Sequence, residues 1–293
     1  MMDWGGGVAE WVEGEWQTAD GLTLRYRDYA GRDDRPPILC IPGLTRNARD
    51  FEPLTEILAG SWRMICVDLR GRGQSDYARD SASYTPIHYA QDIAALVEQA
   101  AVGRFVVFGT SLGGIVAMLL GAGHLDRLAG ILLNDIGPEI EPAGLARIRE
   151  YVGQGRSFPT WMHAARSLRD QAGEAHPDFT IDDWLAAAKR LMCVGGNGRI
   201  AFDYDMKIAE PFQQQPADAP AGDMWPAFRA LAGRPVLAVR GETSDILSAR
   251  TLDRMKQEMP DLDTVTVART GHAPLLNEAE ALAGIHRLLG RVA

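Results

Sequence analysis

The sequence predicts an α/β fold, a mostly parallel sheet with helices on both faces, interrupted by one helical insertion. Two observations carry this. Short β-rich runs alternate with amphipathic helical runs through the first half of the chain, and the later β runs are apolar throughout, as in strands covered on both faces. The alternation stops near Pro138 and resumes at Pro235.

Trp11 to Gln17 and Leu22 to Tyr29 read as two strands joined at Ala19-Asp20-Gly21, a hairpin signal. Ile38 to Ile41 is a short buried strand between Pro36-Pro37 and Pro42-Gly43. Strands follow at Arg63 to Val67, Phe105 to Phe108 and Gly130 to Leu133. Between them Ala48 to Ala59, His88 to Ala101 and Leu112 to Leu120 read as helices; Ile93, Leu96 and Val97 recur at helical spacing. Residues 138 to 222 read as several helices rich in Trp, Met and Arg, with loops at Gly153-Gln154-Gly155 and Gly195-Gly196-Asn197-Gly198 and an exposed linker at Gln213-Gln214-Gln215-Pro216. A strand at Pro235 to Val239, a helix from Ser248 to Met259, a strand at Thr264 to Val267 and a helix from Glu278 to Leu289 complete the chain. The division expected is a core of residues 1–137 and 223–293, with 138–222 as a lid.

Composition excludes several classes. The 293 residues are 46% hydrophobic and 24% charged, enough to bury a core without staples or a metal. A net charge of −9 repels phosphate backbones and anionic bilayers, so nucleic acid and membrane surfaces are not expected partners. Cys40, Cys66 and Cys193 are too few and too scattered for a disulfide framework or a metal site, and they fit a reducing cytoplasm. Neither a signal peptide nor an apolar run of spanning length is visible, so a cytoplasmic location is expected.

The chemistry begins at Phe105-Val106-Val107-Phe108-Gly109-Thr110-Ser111-Leu112-Gly113-Gly114, a strand running into a helix through G-x-S-x-G. Such a turn holds the serine hydroxyl exposed in strained geometry, and glycines on either side let strand and helix approach. The N–H of Leu112, at the helix start, then faces developing negative charge. A serine needs an imidazole to take its proton and a carboxylate to orient that imidazole. His272, in Gly271-His272-Ala273, follows the last strand. Asp245, in Glu242-Thr243-Ser244-Asp245, follows the strand before it and is the favoured acid. Asp135, in Leu133-Asn134-Asp135-Ile136-Gly137-Pro138, and Glu242 are the alternatives. A turn leading into the insertion also accounts for Asp135.

Other features read as structural or as substrate contacts. His88 and His124 lie at helix ends, where capping suffices; His163 and His176 lie in the insertion. Pro42-Gly43-Leu44 follows a strand end and can offer the Leu44 N–H as a second oxyanion donor. Arg46 beside it can anchor an acidic substrate group, or simply face solvent or pair with an acid. Asp68-Leu69-Arg70-Gly71-Arg72-Gly73-Gln74-Ser75 lacks the phosphate-loop pattern and reads as a loop held by Asp68 and Arg70. A substrate pocket under the insertion would draw on Phe158, Trp161, Met162, Trp184, Met192, Phe212 and Trp225, which favours an apolar or aromatic substrate.

In this order, Pro42-Gly43-Leu44, Asp68 to Ser75, Gly109-Thr110-Ser111-Leu112-Gly113, Asp245 and Gly271-His272 resemble the α/β-hydrolase superfamily over nearly the whole chain. The resemblance implies a mostly parallel eight-stranded sheet, no cofactor, a helical lid over Ser111, and an acyl-enzyme mechanism on esters, lactones or related small carbonyl compounds. Pro42-Gly43 stands where many members carry His-Gly, so any contact made by that histidine is lost. The serine at 111 argues against the members that use an aspartate nucleophile. Two other readings use the same residues. One is hydrolysis of a carbon–carbon bond in a ring-cleavage product, with Arg46 holding a carboxylate. The other is a ligand receptor on the same fold.

Overall fold

The computed structural model describes residues 9–214 and 222–293. Most of the N-terminal stretch and part of the Gln213–Pro216 linker expected from the sequence lie outside these. Eight strands form the main sheet: β1 (Trp11–Gln17), β2 (Thr23–Tyr29), β3 (Ile38–Ile41), β4 (Met64–Asp68), β5 (Phe105–Thr110), β6 (Leu128–Asn134) and, after three short strands of the insertion, β10 (Val236–Gly241) and β11 (Asp263–Val267). Their order is β1-β2-β4-β3-β5-β6-β10-β11. From β4 to β11 every neighbouring pair is parallel, whereas β2 runs antiparallel to both its neighbours.

Strand periodicity divides the core. Leu39, Ile41, Ile65, Val67 and Val107 pack on one face, against α2 (Pro86–Gln99) and α3 (Leu112–Gly123). Ile38, Cys40, Cys66, Val106 and Phe108 pack on the other, against α1 (Glu52–Leu58) and α10 (Ala279–Gly290). A one-residue slip would exchange the two sets, which is why the register of buried strands is strongly specified. Cys40 and Cys66 are buried free thiols within this packing, and burial pushes the Cys66 thiol up.

The insertion holds α4 (Pro142–Tyr151), α5 (Trp161–Ala172), α6 (Ile181–Leu191) and α7 (Glu210–Gln214). It also holds an antiparallel sheet that the purely helical expectation missed, formed by β7 (Ser157–Phe158), β8 (Met192–Val194) and β9 (Ile200–Phe202) in the order β7-β9-β8. The loop at Gly195–Gly198 is the turn of the β8–β9 hairpin, with Gly198 at φ 74°. Gly-Gly-Asn-Gly between two short apolar runs is itself a hairpin signal. The insertion has its own core, in which Ala164, Leu168, Trp184, Ala188 and Ile200 are buried. The chain returns to the sheet through α8 (Trp225–Ala230) and α9 (Ala249–Glu258). Among the described residues no helix is long and apolar enough to cross a membrane.

Candidate active site

Register places the candidate groups. Thr110 at the end of β5 pairs with Asn134 at the end of β6, and Asn134 pairs in turn with Val239 of β10. The next residues on the first two strands, Ser111 and Asp135, therefore leave the sheet side by side. The Ser111 N–H donates to the Asn134 carbonyl at 2.9 Å, and the Asp135 N–H donates to the Val239 carbonyl at 2.7 Å. Both residues have positive φ, 53° and 52°. For side chains other than glycine this costs about 1–3 kcal/mol each, a strain kept only where the surroundings enforce it.

Close packing enforces the turn at Ser111. A Cβ on Gly113 would stand 2.0 Å from the Ile41 carbonyl oxygen, and one on Gly109 would stand 2.4 Å from the Gly113 carbonyl oxygen. The glycines thus let α3 start directly against β3 and β5. Leu112 is the first residue of α3, so its N–H has no carbonyl within the helix to bond. Across from it, a Cβ on Gly43 would stand 3.6 Å from Ser111 Cβ. That is an ordinary contact, so the glycine leaves room in front of the serine. The Leu44 carbonyl accepts from Arg72 Nε at 2.9 Å.

His272 lies between serine and acid. Its Nε2 is 2.9 Å from Ser111 Oγ and its Nδ1 is 2.6 Å from Asp135 Oδ2. The Asp135 carboxylate is fully buried. It also accepts from the Gly241 N–H at 2.8 Å and from the Ser244 hydroxyl at 2.6 Å. These bonds fix the position of the carboxylate oxygens.

The structure therefore corrects the choice of acid. Asp245 does not reach His272; it meets Arg147 of α4 through two hydrogen bonds of 2.5 and 2.8 Å. That pairing holds its carboxyl below the usual range, against the opposing effect of burial. The reason lies in the turn after β10. Asp135 follows its strand at once, whereas Glu242-Thr243-Ser244 carries Asp245 away from the sheet edge. Glu242 accepts from the Arg269 N–H at 2.7 Å and so steadies the approach to His272.

Two adjoining cavities open above these residues. The first, about 70 Å³, is lined by Gly43, Leu44, Arg46, Ser111, Asn134, Tyr151, His272 and Leu275, among others. The second, about 90 Å³, shares Thr45, Arg46, Tyr151 and His272 with it and extends under the insertion to Arg147, Arg156, Gln171 and Tyr204. Of the predicted substrate contacts, Arg46 is present in both. Trp161, Met162 and Trp184 are in neither. Trp184 is buried in the core of the insertion, 5.0 Å from the Phe179 ring. Trp161 packs on that same core, and Met162 faces solvent. Phe158, Met192 and Trp225 also pack elsewhere, and the Phe212 side chain lies outside what is described. The small core of the insertion takes up these large apolar groups, so the wall is made by polar side chains together with other apolar ones, Ile148, Leu168, Leu191 and Phe202 among them.

The remaining histidines and the loop after β4 take structural places. His88 and His163 each lie beside the threonine that caps their helix. His176 stacks on Phe179 at 4.5 Å, and burial, with Arg46 and His272 nearby, pushes it down to about 4. Asp68 accepts from the Ala48 and Gln74 N–H groups, and Arg70 is bound by Asp92 and Asp20. Arg72, fully buried, reaches the Leu44 carbonyl and the Tyr89 hydroxyl. Its hold on the loop facing Ser111 has no signature beyond the motif itself.

Comparison with known proteins agrees with this architecture. The profile of the Alpha/beta hydrolase family matches residues 38–285. An alpha/beta hydrolase of known structure from Novosphingobium aromaticivorans is 56% identical, with a TM-score of 0.93 over 98% of this chain and 100% of its own. The 3-hydroxybutyrate-oligomer hydrolase of Cupriavidus necator is 32% identical over 86% of this chain and 87% of that protein. The 2-(acetamidomethylene)succinate hydrolase of Mesorhizobium japonicum is 28% identical over 86% and 85%. The chain belongs to the alpha/beta hydrolase family.

Proposed function

We propose that the protein is a serine ester hydrolase with Ser111 as nucleophile, His272 as general base and acid, and Asp135 as the carboxylate that orients it. The observation that carries the reading is the unbroken line from Ser111 Oγ through both nitrogens of His272 to Asp135, at 2.9 and 2.6 Å. Ser111 Oγ bonds to the ester carbonyl carbon while its proton passes to His272 Nε2. The imidazolium returns that proton to the leaving alkoxide, which departs as the alcohol. Water then adds to the acyl-enzyme, giving its proton to His272, which passes it to Ser111 Oγ as the bond to the acyl carbon breaks and the substrate acid leaves.

The N–H groups of Leu112 and Leu44 stabilise the oxyanion from helix and loop, donors that need no reorganisation as charge develops. Residues 138–222 act as a cap that shields the reacting atoms from bulk water. The nearby relatives named as hydrolases support the reaction class. The small cavities, whose walls mix apolar side chains such as Ile148, Leu168 and Phe202 with the polar ones, favour a short ester at the small end of the apolar or aromatic range expected from the sequence.

The test is labelling with a fluorophosphonate followed by peptide mapping, alongside rates on aryl esters, lactones and dienoate diketones. Modification at Ser111, with loss of ester turnover in Ser111→Ala and unchanged thermal unfolding, is the expected outcome. Ester turnover retained by Ser111→Ala would end the reading.

A further inference from the structure

The geometry points to a carboxylate-binding subsite in the second cavity, so that the natural substrate is an ester carrying a free acid group. The inference rests on the reading of Ser111 and His272 as the reacting pair, since His272, Arg46 and Tyr151 wall both cavities.

Three guanidinium groups, from Arg46, Arg147 and Arg156, line this cavity, and among the described residues no carboxylate lines it. In a chain with nine more acidic than basic side chains, this is a local reversal of sign. The acids that accompany two of the arginines stand outside the cavity. Asp245 binds Arg147 at 2.5 Å, and Asp50 lies 3.2 Å from Arg46. These pairs fix the two guanidinium groups while leaving further N–H donors on each, because a guanidinium carries five. Arg156 meets Gln154 Oε1 at 3.0 Å, a neutral partner. Tyr151 adds a hydroxyl that hydrogen-bonds with Arg147. Two of the three charges are balanced by these acids, so Arg156 keeps an uncompensated charge that an anion in the cavity would balance. The fork of an arginine matches the two oxygens of a carboxylate.

The two named relatives act, by their names, on a hydroxybutyrate oligomer and on a substituted succinate. Both compounds carry carboxylates.

Calorimetric titration of the Ser111→Ala protein measures this without turnover. The probes are the linear 3-hydroxybutyrate dimer, whose acid lies on the alcohol side of the ester, and monomethyl glutarate, whose acid lies on the acyl side. Each is compared with its own primary amide. At least one acid is expected to bind about tenfold to a hundredfold more tightly than its amide, the scale of a charged hydrogen-bonded pair. Adding Arg46→Gln and Arg156→Gln, with folding checked by thermal unfolding, should reduce that ratio to about threefold or less. Equal binding of acid and amide for both probes overturns the inference, as does a ratio unchanged by the two substitutions. Wild-type turnover of neutral esters, measured in parallel, tells this failure apart from failure of the ester-hydrolase reading.

Discussion

At the scale of single residues, the site depends on which carboxylate stands behind the imidazole. Asp135 has three hydrogen-bonding partners at zero exposure, so its side chain is held in place and aimed. Asp245 spends its charge on Arg147. Asp135→Asn is therefore expected to lower kcat by about 10⁴-fold, the cost of presenting the wrong tautomer to the nucleophile. Asp245→Asn should change it by less than about tenfold, since it removes a part-exposed ion pair. Steady-state kinetics on one chromogenic ester compares the two, with circular dichroism to verify folding. The reverse ranking would reinstate Asp245. The pairing of Ser111 with His272 was legible in the sequence because each sits in a short motif at a strand end. Which aspartate meets His272 was not, because two aspartates follow neighbouring strands and only the path of the intervening turn separates them.

Among the elements, α5 and α6 with the small sheet of the insertion form a packed unit whose aromatic residues stabilise it instead of meeting substrate. His176 belongs to that packing, against Phe179 and Trp184. Its pKa of about 4 in the folded state lies below the ordinary value of 6.5, so between these values the unfolded chain binds the extra proton. The contribution of neutral His176 is thus complete above pH 6.5 and falls away as pH drops toward 4. Discounted for partial exposure, it amounts to about 1–2 kcal/mol. Urea unfolding at pH 7 and pH 4.5 should show the wild type losing more stability than His176→Phe, which keeps the ring stack without the charge. Equal losses would remove His176 from the account. The strands of the main sheet were readable from apolar runs and punctuation. The strands β7 to β9 were missed, because segments of two or three residues carry too little period to register and only the glycine-rich turn between β8 and β9 signals a hairpin.

For the molecule as a whole, the insertion is tied to the sheet domain by hydrogen bonds and an ion pair. Arg49, ahead of α1, donates to the Arg190 carbonyl at 3.0 Å and pairs with Asp203 at 2.6 Å, while Asn47 Nδ2 donates to that same carbonyl at 3.1 Å. The Asp203 side chain is only 7% exposed, so removing its partner strands a nearly buried carboxylate. Arg49→Met is expected to lower the unfolding free energy by about 3 kcal/mol, measured by urea denaturation. Limited proteolysis should then cut first within residues 138–222. A loss under about 0.5 kcal/mol would show that the tie contributes nothing beyond a surface pair.

The amino-acid sequence alone determined the class of fold, and it set a serine in a strand-to-helix turn and a histidine just past the last strand. Each of these is written in local pattern, as apolar period, glycine spacing or residue type at a strand end. Tertiary structure alone decided that Asp135 stands behind His272 and that arginines, not tryptophans, line the second cavity. Those outcomes depend on where turns lead and which face of an element meets which neighbour. Contacts between residues more than a hundred positions apart carry that information, and no short window of sequence contains it.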